Sequence, residues 1–317
     1  MIPSTEPNEP NVIPFNKNFT CDYGVVETIS PLIRRVVANN PGPFTFTGTG
    51  TFIIGHGTVA VIDPGPDCDE HLDALKAALQ GETVSHIFVT HHHLDHSPLS
   101  RALKAYSGAK IYSLPGDMTD SDGGAVRLEA GDDIHFSPDV EIADGTIAKG
   151  PGWTLETLHT PGHTSGHLCF ALHEENALFC GDHVMAWSTS IVSPPDGHMG
   201  AYLASLERIL GREFATLYPT HGPAIDKPAL FIQGTINHRR AREEQVVALL
   251  QDGPSTIRAM VAKLYADVEK RLHPAAAHML LAHMIHLTER GVTTASGCAN
   301  IEAEWRLKAD DQVACAA

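Results

Sequence analysis

Six consecutive residues, His91-His92-His93-Leu94-Asp95-His96, constrain this chain more than any other stretch. They follow Val84-Ser85-His86-Ile87-Phe88-Val89, a short β-branched and aromatic run behind Gly81 that reads as a buried strand. A strand ending in such a cluster delivers it to the C-terminal edge of a sheet, where α/β proteins place their ligands. His91 and His93, two residues apart, leave the same side of an extended segment and can grip one cation. Asp95 and His96 begin the following turn and point elsewhere, which suits a second cation beside the first. With 20 histidines in 317 residues, proximity alone is weak evidence, and a solvated polar loop would need no metal. Yet this much polarity at the mouth of a hydrophobic strand would carry a desolvation cost with nothing to offset it. A metal site is the expectation.

The pattern recurs along the chain. Val25–Ile29 and Ile33–Ala38 read as strands, and the run Phe44–Ile54 with Thr58–Ile62 reads as a hairpin ending in Asp63-Pro64-Gly65. Asp63 is either a turn cap or a support for a metal-bound histidine. Helical spacing covers Asp69–Leu79 and Leu99–Tyr106, with a short strand at Lys110–Tyr112. Trp153–His159 leads into Thr160-Pro161-Gly162-His163, Ala177–Cys180 into Gly181-Asp182-His183, and Ala215–Leu217 into Pro219-Thr220-His221. Apolar strands therefore deliver the cluster at 91–96, His163, Asp182 and His221 to what reads as one site. The order of strands and helices, twice over, indicates two β-sheets between helices, an α/β fold. Ile225–Leu250 reads as a long charged helix, followed by short helices and a strand near Ile301–Leu307, a winged-helix-like outline. The expected organisation is an N-terminal extension over 1–24, a catalytic domain over 25–224 and a helical C-terminal domain over 225–317.

Composition narrows the function classes. A net charge of −16 disfavours loose binding to nucleic acid or acidic membrane, although bound cations would invert the sign locally. The six cysteines form no C-x-x-C pair and read as reduced thiols; with no secretory signal and no apolar run long enough to span a membrane, a cytoplasmic protein is expected.

The motifs H-x-H-x-D-H at 91–96, Thr160-Pro161-Gly162-His163, Gly181-Asp182 and Thr220-His221-Gly222, in that order, resemble the metallo-β-lactamase-fold superfamily. Asn40-Pro41-Gly42-Pro43-Phe44-Thr45, Gly48-Thr49-Gly50-Thr51 and the helix His238-Arg239-Arg240-Ala241-Arg242-Glu243-Glu244-Gln245 look like its β-lactamase-like protein 2 subgroup. The resemblance covers about residues 25–300. It implies an αββα sandwich with a small winged-helix-like domain and two divalent metals between the sheets. By position, His91, His93 and His163 would hold the first metal. Asp95, His96 and His221 would hold the second, and Asp182 would bridge them. Zinc is the default, with iron or manganese compatible with the same donors. A metal-bridging hydroxide would attack the substrate, with Asp95 as the catalytic residue that orients it or shuttles its proton. His167 and His183, flanking ligands, are expected to support them, whereas His92 alternates away from the metal face and reads as packed or solvated.

The substrate is less constrained. Cleavage of an ester, thioester or related small molecule is the first reading. Single-stranded RNA cleavage, implied by the subgroup, would use the arginines at 239, 240 and 242. Glyoxalase-II-like thioester hydrolysis lacks a basic cluster for glutathione, and β-lactamase action would be a side reaction. A metal-sensing, DNA-binding regulator is disfavoured by the net charge and the complete ligand set. Apolar positions on the tail, Leu280, Leu281, Met284 and Ile285, are expected to pack on the main domain or in a homodimer.

Overall fold

The computed structural model describes residues 13–116 and 131–308. The first half of the expected N-terminal extension lies outside the described residues, as does part of the Gly- and Asp-rich region after 115.

Seven strands form the first sheet in chain order: β1 (Val26–Thr28), β2 (Ile33–Val37), β3 (Gly50–Ile54), β4 (Thr58–Ile62), β5 (Thr83–Phe88), β6 (Lys110–Ser113) and β7 (Val140–Glu141). The first four pair antiparallel and β4 through β7 pair parallel, with α1 (Asp69–Ala78) and α2 (Leu99–Ser107) as crossovers. The second sheet runs β12-β11-β10-β9-β8, from β8 (Ile147–Gly150), β9 (Trp153–His159), β10 (Leu168–Leu172), β11 (Ala177–Gly181) and β12 (Thr216–Pro219). Only its β11–β12 pair is parallel, joined through α3 (Met199–Leu210).

Strand alternation assigns the layers. Phe52, Ile54, Ile62 and Phe88 meet Trp153, Leu155, Phe170 and Phe179 between the sheets. Their neighbours Ile53, Val59, Val61 and Ile87 face the other way, onto Leu75 and Leu103 of α1 and α2. On the outer face of the second sheet, Leu158, Cys169, Leu178 and Leu217 pack against Tyr202 and Leu206 of α3. The Trp153 indole, at the start of β9, reaches across to donate to the Thr58 carbonyl at the start of β4 at 2.9 Å. The result is the expected αββα sandwich.

The 24-residue helix α4 (Pro228–Gln251) starts three residues later than its charge pattern suggests, because Ile225 pairs with Leu217 instead. Its first half sends Phe231, Ile232 and Ile236 into the core under the second sheet. Its last turns send Val246 and Leu250 into a separate core built by α5 (Ile257–Leu264), α6 (His273–Glu289) and Trp305. A small sheet ordered β13-β15-β14, from β13 (Ser255–Thr256), β14 (Thr293–Ala295) and β15 (Glu304–Leu307), completes the winged helix. Leu280, Leu281 and Met284 are buried in that core, within the chain itself.

The hairpin differs from expectation in one respect. Residues 44–49 are not strand; they loop across the edge of the sandwich, and β3 begins only at Gly50. Gly48 has φ +130°, and a Cβ there would sit 2.1 Å from the Ala38 carbonyl, so the crossing depends on glycine.

Candidate metal centre

The C-terminal ends of β5, β9, β11 and β12 open onto one edge of the sandwich and each hands over to a donor residue, while β4 hands over to Asp63 beside them. Among the described residues three groups of donors form there. The first is His91, His93 and His163; the second is Asp95, His96, Asp182 and His221. The third, His92, His93 and Asp132, shares His93 with the first. All seven residues of the first two groups are buried.

In the first group, His91 Nε2 lies 2.9 Å from His93 Nδ1 and 3.3 Å from His163 Nε2. The opposite ring atoms reveal which nitrogens carry protons. Thr90 Oγ1 donates to Asp63, so it accepts from His91 Nδ1–H at 3.0 Å. His163 Nδ1–H donates to the Ile191 carbonyl at 2.8 Å, and His93 Nε2 faces Asp132 Oδ1 at 3.5 Å. His91 and His163 thus spend a proton outward from Nδ1 and turn Nε2 inward. Burial, then the adjacent His96 and His93 rings, holds His91 well below its ordinary pKa; burial, then His163, takes His93 down to about 3. Neutral rings with facing lone pairs repel unless a cation lies among them.

The second group is built the same way. His96 Nδ1–H donates to Asp63 Oδ2 at 2.9 Å and His221 Nδ1–H to the Gly48 carbonyl at 3.2 Å. Both Nε2 atoms then face carboxylates: His221 lies 3.2 Å from Asp95 Oδ2 and 3.4 Å from Asp182 Oδ1, and His96 lies 3.6 Å from Asp182 Oδ1. Asp95 Oδ1, His96 Nε2, Asp182 Oδ1 and His221 Nε2 are nevertheless all buried without a satisfactory hydrogen bond. Burial opposes ionisation of Asp95, but His96 and His221 outweigh it and hold the carboxyl at about 2. Burial also lowers His96 and His221, and there the facing carboxylates win and raise both. The group demands positive charge.

A divalent cation fits this donor set. Four N or O donors about 2.0–2.2 Å from a tetrahedral centre stand roughly 3.3–3.6 Å from one another, and the histidine–carboxylate separations within the second group span 3.2–3.6 Å, Asp95 using Oδ1 toward His96 and Oδ2 toward His221. Asp182 faces both groups, with Oδ1 toward His96 and His221 and Oδ2 3.9 Å from His163.

The supporting residues are equally specific. Asp63, fully buried with φ +49°, accepts from Thr90 N, Thr90 Oγ1, Thr220 Oγ1 and His96 Nδ1 at 2.8–2.9 Å, so it anchors His96 and two threonines rather than its own turn. His167 donates from Nδ1 to Thr160 Oγ1 and accepts the Asp182 backbone N–H on Nε2 at 3.3 Å. The His183 ring packs between His167 and Tyr202, with centroids 5.7 and 4.7 Å away. The His183 carbonyl accepts from Ser190 and Tyr202, while both ring nitrogens are buried without a partner, and burial holds the ring at about 3. His92 is packed, with Nε2 3.2 Å from Asp132.

Sequence reading missed Asp132, Thr90, Thr220 and the scaffolding role of the 40–49 loop. In that loop Asn40 binds Thr49 through both side-chain atoms, Thr49 Oγ1 donates to the Asp95 carbonyl and Gly48 receives His221. Spacing offers no route to Asp132, which lies 39 positions beyond His93. Burial pushes the Cys169 thiol up to about 12 and raises Cys180 as well, so both remain protonated core groups. The five cysteines among the described residues are free.

A four-layer sandwich with paired donor groups at one open edge defines a class of metal-binding α/β hydrolases. Residues 45–221 match the metallo-beta-lactamase superfamily and residues 256–305 the beta-lactamase associated winged helix domain; the chain belongs to the metallo-beta-lactamase superfamily and is a hydrolase of it. It is 30% identical over 276 residues to the beta-lactamase-like protein 2 homolog of Caenorhabditis elegans, covering 84% of this chain and 88% of that one. An atrochrysone carboxyl ACP thioesterase from Cryptosporiopsis sp. (strain 8999) is 33% identical over 241 residues, covering 74% and 68%. A beta-lactamase domain protein from Burkholderia ambifaria shares the fold with a TM-score of 0.76 at 18% identity, covering 95% of this chain and 99% of its own. No helix among the described residues is long and apolar enough to cross a membrane.

Proposed function

We propose that this hydrolase holds two divalent cations, zinc by default, and cleaves a thioester or ester of a small molecule. The observation that carries the reading is the pair of buried donor groups whose bare nitrogens and unsatisfied carboxylate oxygens converge on Asp182. Five imidazoles and two carboxylates suit zinc. Bound there, the cations would polarise the scissile carbonyl and draw a nucleophile from water near neutral pH.

The chain's residues supply the rest. Asp182 sets the spacing of the two groups, and its backbone is held by His167. Asp95, ionised and partly free of hydrogen bonds, is the group able to orient the attacking water and take its proton. Asp63 and the Gly48 carbonyl keep His96 and His221 in the tautomer that presents Nε2.

The thioester arm is supported by thioesterases among the relatives. The RNA alternative loses the arginines it would need. Arg239 is buried, Arg240 pairs with Glu207, and Arg242 donates to the Leu264 carbonyl beside Tyr265. The test is turnover by zinc-loaded protein of an N-acetylcysteamine thioester, an aryl ester, a β-lactam and end-labelled single-stranded RNA, with Asp182→Asn as control. Thioester or ester turnover lost in the variant is expected. RNA cleavage alone, or no turnover of any substrate by protein carrying two cations, would overturn the substrate assignment.

A further inference from the structure

Arg239, on α4, is 3% exposed and forms no salt bridge among the described residues. One guanidinium nitrogen donates to the Ser190 carbonyl at 2.5 Å, the plane lies 5.4 Å from the Tyr202 ring centroid, and Nε is buried without a partner. A buried cation is a costly strut, since an apolar side chain of similar volume fills such a space at least as well. What Arg239 holds explains its presence.

Ser190 lies in the segment 182–198, which contains neither strand nor helix, so no regular backbone ladder fixes its carbonyls. At one end of this segment, Ser190 Oγ and Tyr202 OH both donate to the carbonyl of His183, the residue after Asp182. Directly after Ser190, the Ile191 carbonyl accepts His163 Nδ1–H. The next residue, Val192, donates its backbone N–H to Met279 Sδ of α6 at 3.0 Å. The loop is thus clasped by α4 and α6 on one side, and on the other it carries Asp182 and the carbonyl that receives His163.

We propose that Arg239 is a positioning residue for the metal centre. By fixing the Ser190 carbonyl it fixes the neighbouring Ile191 carbonyl, which selects the tautomer and ring orientation of His163. Through this clasp the C-terminal helices tune cation affinity. The proposal rests on the metal-centre reading above, and the experiment separates the two. Zinc affinity of the full chain is measured by competition with a chromophoric chelator for wild type, Arg239→Met, Arg239→Lys, Met279→Leu and the exposed control Arg240→Gln. Thermal unfolding of each metal-stripped protein is recorded alongside.

Removing a partner that orients a metal-bound histidine typically weakens binding about 10- to 100-fold. Arg239→Met is expected to lose about tenfold or more, Arg239→Lys to recover part of it, and Met279→Leu to shift the same way while folding normally. Arg240→Gln should bind as wild type. Unchanged affinity in the folded variants, with only the metal-stripped stability altered, would make Arg239 a structural strut and overturn the proposal. If Arg239→Met does not fold, wild-type affinity in both Arg239→Lys and Met279→Leu overturns it equally. Failure of wild type to bind zinc would remove the metal-centre reading and this inference with it.

Discussion

Asp63→Asn is nearly isosteric, yet it forces a choice that the site cannot make without loss. Asp63 Oδ1 accepts only Thr90 N, whereas Oδ2 accepts Thr90 Oγ1, Thr220 Oγ1 and His96 Nδ1. If the amide nitrogen takes the Oδ2 position, the threonine hydroxyls can rotate to accept, but His96 Nδ1 must also become an acceptor. The proton then moves to Nε2, the atom needed for a cation. If the nitrogen takes the Oδ1 position, it meets the buried Thr90 N–H donor to donor, an unsatisfied pair worth about 1–3 kcal/mol. The first outcome predicts zinc binding weakened about 10- to 100-fold, or 1.4–2.7 kcal/mol, with little change in metal-free stability. The second predicts the reverse pattern. Chelator competition and urea unfolding of metal-stripped protein distinguish them. A variant with both wild-type affinity and wild-type stability would refute the tautomer argument.

Further expectations follow from the same geometry. Gly181 has φ +52°, and a Cβ there would lie 2.6 Å from His167 Nε2; Gly181→Ala should cost about 1–2 kcal/mol from the left-handed backbone alone. It should also weaken zinc binding by displacing Asp182, which paired unfolding and competition measurements would reveal. Chelation should lower the melting temperature by about 5 °C in protein held near 100 times its dissociation constant for zinc; an unchanged transition in a scan with and without chelator would argue against a bound cation. Away from the site, Glu243 lies 3.3 and 2.8 Å from His283 and His286 and 3.1 Å from Arg290. Burial works against its ionisation, but His283 and His286 bring its carboxyl down from 4.5 to about 2. Its contribution is therefore complete above about pH 4.5 and disappears as pH falls toward 2. Wild type should lose about 2 kcal/mol more than Glu243→Gln between pH 6 and pH 2.5. Parallel pH profiles of urea stability would count against this ion cluster.

The layers were legible because each rests on local periodicity. Alternation in β3, β4 and β9 separates two faces without reference to anything distant, and the glycines and prolines bounding them mark where strands yield to ligands. The donor residues were legible for a related reason: metal chemistry admits few side chains, and those side chains stand out at strand ends. The supports were harder to read. Asp132 reaches His93 from an irregular segment, and the acceptors for His163 and His221 are backbone carbonyls of Ile191 and Gly48, which carry no side-chain signature. Residues 44–49 were misread as strand because alternating Thr and Phe satisfy the strand pattern, while the left-handed backbone at Phe46 and the tight crossing at Gly48 arise only against Ala38 and His221. The apolar face of α6 pointed to a packing partner, and that partner is the rest of the small C-terminal core.

Helix α4 has a bearing on how the chain comes apart. Because one continuous helix roots Phe231, Ile232 and Ile236 beneath the second sheet and Val246 and Leu250 beneath Trp305, neither core can melt without fraying the other's support. The cores should behave as one cooperative unit, with overlapping transitions by calorimetry and by near-ultraviolet signal. A truncation at residue 224 would strip the larger core of five buried residues, Ile225, Phe231, Ile232, Ile236 and Ala282, whereas one in the Asp252-Gly253-Pro254 turn would leave the whole helix in place. The support of the larger core therefore extends well past residue 221, where the match to the superfamily ends.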